Sequence, residues 1–112
     1  MSSLRALALL ATLALAPASA LAEPEDAIFG VNYVFTSVDA YTAGYGHFVV
    51  TGVVAGESTP RVIRFSGYGL SLQDADRCDR FALIAMTRPG RYQFSYFQEA
   101  PNQYPTCTLT RM

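Results

Sequence analysis

His47 is the only histidine in the sequence, and histidine is the residue best suited to acid–base chemistry near neutral pH. A catalytic histidine needs a carboxylate to orient it, and Asp39 is the nearest acid in the sequence. No serine or cysteine nucleophile stands in a recognisable motif beside it. We therefore interpret His47 as a polar residue at the start of a strand and predict that the protein is not an enzyme. A small hydrolase that uses His47 is the alternative.

Metal-binding patterns are missing from the sequence. One histidine and two cysteines are too few for most zinc sites. Asp74, Asp76 and Asp79 resemble part of a calcium-binding loop, but the glycine and the final glutamate of such a loop do not follow. We interpret these acids as the solvated beginning of a helix, and we predict neither a metal nor another cofactor.

The sequence contains two cysteines, Cys78 and Cys107, and the first residues of the chain indicate whether they form a disulfide. Residues 1–22 have the pattern of an export signal: a positive charge, an apolar run at 6–16 that is too short to span a bilayer, and small residues before Glu23. Disulfides form in exported proteins, so we predict a bridge between Cys78 and Cys107. Free thiols and an intermolecular bridge are the alternatives.

Cleavage before Glu23 leaves residues 23–112, which we expect to form a single small domain in the periplasm or the extracellular medium. A retained membrane anchor at residues 1–22 is the alternative to cleavage. The formal net charge is −1, with eight basic and nine acidic residues. That balance gives no indication of binding to nucleic acid or to an anionic membrane surface. The sequence does not identify a binding partner, which is either a protein or a small ligand.

Aromatic residues are numerous, with seven tyrosines and seven phenylalanines. Those in alternating segments are predicted to be core, but three tyrosines lie in glycine-flanked segments that we predict to be loops. Aromatic rings in such loops stack on bases or sugars, and arginines on neighbouring strands would add positive charge. The candidate ligand contacts are Tyr41, Tyr45, Tyr68, Arg64 and Arg91.

These side chains must be positioned by a small set of elements, of which the helix is the clearest. Residues 74–87 show helical periodicity, and their apolar positions share one face. That face contains Cys78, Phe81, Ala82 and Ala85. A strand at 81–87 followed by a type II turn at 88–91 is the rival interpretation. We favour the helix because β-branched residues are few, and we expect residues 89–90 to end it.

Alternating apolar residues predict the strands, with a glycine-rich loop at 39–46. The predicted strands are 28–38, 47–55, 61–66, 91–97 and 106–110. Gly52 indicates a bend or bulge within the second strand. Three strands, a helix and two strands follow the order of a small OB-type barrel. We therefore predict an α+β, β-rich domain with one disulfide, either a five-stranded OB-like barrel or an antiparallel sheet with one helix.

The sequence favours a small exported binding or cell-envelope accessory domain without catalysis, since it combines an export signal with no catalytic motif. A structural subunit of a secreted assembly, in which an edge strand pairs between chains, is the alternative. The order of elements carries no functional inference by itself.

Overall fold

The computed structural model describes residues 23–44, 46–67, 72–101 and 103–112. These residues form one helix and one mixed sheet of six strands, in which only β1 and β4 run parallel. The elements in chain order are β1 (Glu25–Asp26), β2 (Tyr33–Gly44), β3 (His47–Val54), β4 (Arg61–Ser66), α1 (Leu72–Thr87), β5 (Tyr92–Phe97) and β6 (Thr106–Arg111).

The strands lie in the order β1-β4-β3-β2-β5-β6, so β1 and β6 are the two edges of an open sheet. The predicted β-rich domain with one helix is confirmed. The closed five-stranded barrel is not confirmed, because closure would require β4 to pair with β6. The free side of β4 is instead taken by β1, which pairs Glu25 with Ile63 and Asp26 with Arg64.

The strand β2 is the longest and controls the curvature of the sheet. Its register against β3 shifts twice, after Phe35 and after Val38. Gly52 allows β3 to follow this irregular path, since a Cβ atom there would lie 2.0 Å from the carbonyl oxygen of Ser37. Register shifts of this kind bend a strand and increase its twist. The shift also brings Phe35 and Val38 to the same buried face, although their odd spacing predicts opposite faces.

Two predicted boundaries around β2 are wrong. The predicted loop at 39–46 is mostly strand, because β2 continues to Gly44, which pairs with His47 of β3. The predicted strand beginning at residue 28 begins only at Tyr33. Gly30, with φ +84°, turns the preceding chain away from the sheet. The phenol oxygen of Tyr33 then accepts the amide hydrogen of Ile28 at 2.9 Å.

The core lies between the sheet and α1. Its largest fully buried side chains are Phe35, Phe65, Phe94, Ile63 and Val50. Burying such a side chain stabilises the fold by about 2 kcal/mol. The helix contributes the small residues Ala82 and Ala85, which lie on the predicted face and let it approach β2 closely. The helical interpretation of residues 81–87 is therefore confirmed.

The predicted disulfide between Cys78 and Cys107 is present and joins α1 to β6. Their Cα atoms lie 5.6 Å apart, within the range that a disulfide spans without backbone movement. Because β6 is an edge strand with a single neighbour, the bridge supplies its second attachment to the domain. The predicted export signal at residues 1–22 lies outside the described residues and stays a prediction.

Candidate functional site

The curvature of the sheet brings together the ends of β4 and β5, which are not neighbours within it. The rings of Phe65 and Tyr96 have centroids 4.3 Å apart, and the Tyr96 hydroxyl donates a hydrogen bond to the backbone carbonyl of Ser66. Burial raises the pKa of Tyr96, so the phenol stays neutral and keeps its donor hydrogen. This contact closes the floor of a pocket at the strand ends.

We name this cavity the strand-end pocket, and its volume is about 370 Å³. That size lies in the lower part of the range for small-molecule sites. It is lined by residues 26–29, Val31, Tyr33, residues 46–47, residues 64–66, Tyr96 and Gln98. The pocket therefore combines one wall of mainly apolar side chains with a rim of polar ones.

The apolar wall comes from the chain between β1 and β2. Six large hydrophobic residues are exposed in the described part of the chain, and three of them line this pocket: Ile28, Phe29 and Val31. Their exposed fractions are 66%, 44% and 41%. The backbone beneath them is fixed, since Gly30 donates to the Gln98 carbonyl at 2.9 Å. Exposed apolar side chains on a fixed backbone are typical of an interaction site.

The polar rim consists of two cross-strand pairs. The register sets His47 opposite Ser66, and Asp26 opposite Arg64. An Nη1 atom of Arg64 lies 3.5 Å from Oδ1 of Asp26, and both side chains are largely exposed. An exposed ion pair of this kind contributes less than about 1 kcal/mol to stability. Arg64 is therefore able to exchange its carboxylate partner for a ligand group at little cost.

Of the predicted ligand contacts that the structure describes, Arg64 alone lines this pocket. Arg91 follows the turn after α1, at the other end of β5. Tyr45 and Tyr68 lie outside the described residues. The ligand contacts named from the sequence therefore stay predictions and do not form one cluster among the described residues.

Tyr41 lies in β2 and belongs to the core side of the sheet. Its ring stacks on Phe48 with centroids 5.9 Å apart and meets Phe94 edge-on at 6.4 Å. Burial, and then the neighbouring carboxylate of Asp79, raise the pKa of Tyr41. The Tyr41 hydroxyl oxygen and Asp79 Oδ1 are both buried, yet neither completes a hydrogen bond within the described residues.

Sequence reasoning missed the pairing of His47 with Ser66, because the two residues lie far apart in the chain. A strand register is the only signal that would have related them, and register is set by the pairing of β3 with β4. It also missed that Tyr33 and Tyr96 have two roles. Both are buried on the core side, and both line the strand-end pocket.

Among the described residues, no three metal-ligating side chains come close enough to hold a metal ion. In the same part of the chain, no helix has the length and apolar character needed to cross a membrane. Comparison with known proteins gives no match to a protein-family model, a curated protein or a solved structure.

Proposed function

We propose that this chain is a small exported binding domain without catalysis, and that the strand-end pocket holds a small amphipathic ligand. One observation carries the proposal: exposed Ile28 and Phe29 adjoin Arg64 and His47 in a single pocket of about 370 Å³. The apolar body of the ligand lies against the side chains of residues 28–31. Its hydrogen-bonding end group faces the polar rim, which fixes its orientation.

Export is supported by the pattern of residues 1–22 and by the disulfide, which oxidising compartments maintain. The intact mass of the protein recovered from the periplasm or the medium tests this part of the proposal. We expect the mass of residues 23–112 less two hydrogens. A mass that still contains residues 1–22 would contradict it.

We also infer that β2 to β6 form an open version of the OB arrangement. The pairing order β4-β3-β2-β5-β6, with α1 inserted between β4 and β5, supports this inference. The long β2 pairs with both β3 and β5, so it belongs to both halves of the sheet. The parallel pairing of β1 with β4 accounts for the missing closure.

Binding is tested by screening amphipathic fragments against the ¹⁵N-labelled protein by NMR. We expect saturable shifts at residues 28–31, 64–66 and 96–98. Phe29→Ser should weaken binding about tenfold, which corresponds to the loss of about 1.4 kcal/mol of apolar contact. Leu83→Ser is the matched control, because Leu83 is equally apolar, 59% exposed and outside the pocket. Equal effects of the two variants would contradict the site.

A second candidate function, a hydrolase, is favoured by the register that sets Ser66 opposite His47 in the same pocket. Asp26 is the only carboxylate among the described residues that line the pocket, and it pairs with Arg64. A fluorophosphonate probe distinguishes the two functions. Labelling that is lost in both Ser66→Ala and His47→Gln would replace the binding proposal by catalysis. No labelling favours binding alone.

The structural-subunit alternative is favoured by β6, whose outer edge has no partner strand among the described residues. An edge strand of six residues offers backbone donors and acceptors for pairing with a second chain. Light scattering over a wide range of protein concentration tests this alternative. A monomer throughout excludes it, whereas a concentration-dependent assembly abolished by a proline at Leu109, whose N–H points away from β5, supports it.

A further inference from the structure

Three arginines converge at the end of β5 that is distant from the strand-end pocket. Arg88, Arg91 and Arg111 line one shallow cavity of about 470 Å³, which we name the arginine pocket. Gly90, Tyr92 and Met112 complete its lining, and no acidic side chain belongs to it. The cavity therefore carries three formal positive charges in a chain whose formal net charge is −1.

Backbone hydrogen bonds hold the three arginines together. Gly90, with φ +80°, reverses the chain after α1, and the amide of Arg91 donates to the carbonyl of Arg88 at 3.2 Å. The final strand then returns antiparallel to β5, and the amide of Met112 donates to the carbonyl of Arg91 at 2.9 Å. This bond keeps the end of β6, and with it Arg111, beside the turn. Arg88 and Arg91 are thus neighbours within one turn, and the fold adds Arg111 from a distant part of the chain.

Of the four other arginines in the described residues, three have acidic partners and Arg80 has none. Arg61 pairs with Glu25 and Glu57, and Arg64 pairs with Asp26. Arg77 pairs with Asp74. By contrast, the three arginines of the arginine pocket take part in no ion pair among the described residues.

Two of these arginines have an ordinary explanation when each is taken alone. Arg88 follows the carboxyl end of α1, where a cation offsets the helix dipole. Arg111 lies on an edge strand, where a charge discourages pairing with other chains. Neither explanation requires three like charges to share one cavity, and their mutual repulsion is unfavourable. An anion in the cavity would relieve this repulsion.

We propose that the arginine pocket binds an oxyanion of the phosphate class. Guanidinium groups donate paired N–H bonds that match two oxygens of a phosphate, and such charge-assisted bonds are about twice as strong as neutral ones. The half-buried Tyr92 adds a flat side wall against which the organic part of a phosphate monoester packs. This site is separate from the strand-end pocket and does not depend on the function proposed for it.

The test is an NMR titration of the purified protein with inorganic phosphate at constant ionic strength, compared with chloride. We expect saturable shifts of the arginine Nε–H signals and of the amides at residues 88, 90–92 and 111–112. Arg91→Gln and Arg111→Gln should each weaken binding about tenfold, the loss of one charge-assisted contact. Arg80→Gln is the control, because Arg80 is exposed on α1 and outside the pocket.

Two further titrations, with other phosphate compounds, identify the source of the anion. Glycerol 3-phosphate reports a soluble monoester, and vesicles of phosphatidic acid in phosphatidylcholine report a lipid headgroup. A carboxylate at Met112 would compete for the same guanidinium groups, so a chain extended beyond Met112 by a neutral tail is titrated in parallel. Saturable phosphate binding in either chain supports the proposal.

Three results would overturn it. Shifts that are linear in phosphate in both chains, or that chloride reproduces, show only screening of surface charge. Equal losses in Arg80→Gln and Arg91→Gln show a general effect of net charge. Vesicle binding without any phosphate-induced shift shows a membrane surface instead of an oxyanion site.

Discussion

The hydroxyl of Tyr96 donates a hydrogen bond to the backbone carbonyl of Ser66, although their strands are separated by two others in the sheet. This bond fixes the distance across the open side of the sheet, where the strand-end pocket lies. Because Tyr96 is only 3% exposed, water does not replace the Ser66 carbonyl as the partner of its hydroxyl. The contact therefore holds together the two strand ends that form the floor of the pocket.

Removing this bond should destabilise the fold modestly. In Tyr96→Phe the ring still packs on Phe65, so only the hydrogen bond is lost. We expect the free energy of unfolding to fall by about 1 kcal/mol, measured by urea denaturation. The amide shifts of Ser66 and Gly67 should change with it. A variant as stable as the parent, with unchanged shifts, would show that the bond has no structural role.

Loss of the Tyr41 hydroxyl, unlike loss of the Tyr96 hydroxyl, should not destabilise the fold. The buried hydroxyl of Tyr41 completes no hydrogen bond within the described residues. We expect Tyr41→Phe to leave the melting temperature unchanged or to raise it, since a buried polar group without a partner is replaced by an apolar one. Tyr41→Ala removes the ring that stacks on Phe48 and should lower the free energy of unfolding by about 3 kcal/mol. Near-identical melting temperatures for the two variants would instead support a surface contact role.

Burial raises the pKa of both Tyr41 and Tyr96 in the folded protein, whereas the unfolded chain titrates near 10. Above that pH the unfolded state releases protons that the folded state retains, so stability is complete below pH 10 and declines as pH rises further. Each tyrosine lowers the free energy of unfolding by up to about 1.4 kcal/mol per pH unit. The variant with phenylalanine at both positions should show a shallower decline in urea titrations between pH 9 and 11.5. An unchanged slope would assign alkaline unfolding to other groups.

The features that the sequence predicts correctly depend on local pattern or on simple pairing. The helical face of Ala82 and Ala85 repeats at helical spacing, and the two cysteines leave one intramolecular pairing. The strand at 61–66 is bounded by turn residues on both sides and matches β4. These signals extend over few residues, so no knowledge of the rest of the fold is needed to interpret them.

The strand-end pocket depends on contacts that have no local signal. Tyr96 and Ser66 are 30 residues apart, and only the coiling of the sheet brings them together. Ile28 and Phe29 have the composition of a strand, yet the turn at Gly30 keeps them outside the sheet and exposed. The position of the apolar wall therefore follows from the register of β1 against β4, which sequence pattern does not specify.

The disulfide should account for a large part of the stability of the domain. Cys78 and Cys107 are separated by 29 residues, and closing a loop of that length in the unfolded chain contributes about 3.5 kcal/mol by the chain-entropy estimate. Reduction of the parent protein and the variant Cys78→Ala/Cys107→Ala should give the same loss in urea denaturation. If reduction changes the free energy of unfolding by less than about 1 kcal/mol, the bridge does not constrain the unfolded chain as argued.

Replacing Gly44 and replacing Gly52 by alanine should lower the free energy of unfolding by very different amounts. At Gly52 the new Cβ would lie 2.0 Å from the backbone oxygen of Ser37, which cannot move without breaking the register of β2. At Gly44 it would lie 2.4 Å from Cε1 of His47, a side chain that is able to rotate. We expect Gly52→Ala to lower the free energy of unfolding by about 3 kcal/mol or more, and Gly44→Ala by less than about 1 kcal/mol.

The Gly44 variant also tests the strand-end pocket, since it displaces the His47 ring while the backbone of the hairpin is retained. The imidazole signals of His47 should shift in NMR spectra, and fragments that contact His47 should bind more weakly. Amide signals of β6, which contributes no residue to the pocket, should stay in place. If Gly44→Ala instead unfolds the protein as readily as Gly52→Ala, the His47 ring is held rigidly by the fold. It would then have no freedom to adjust to a ligand.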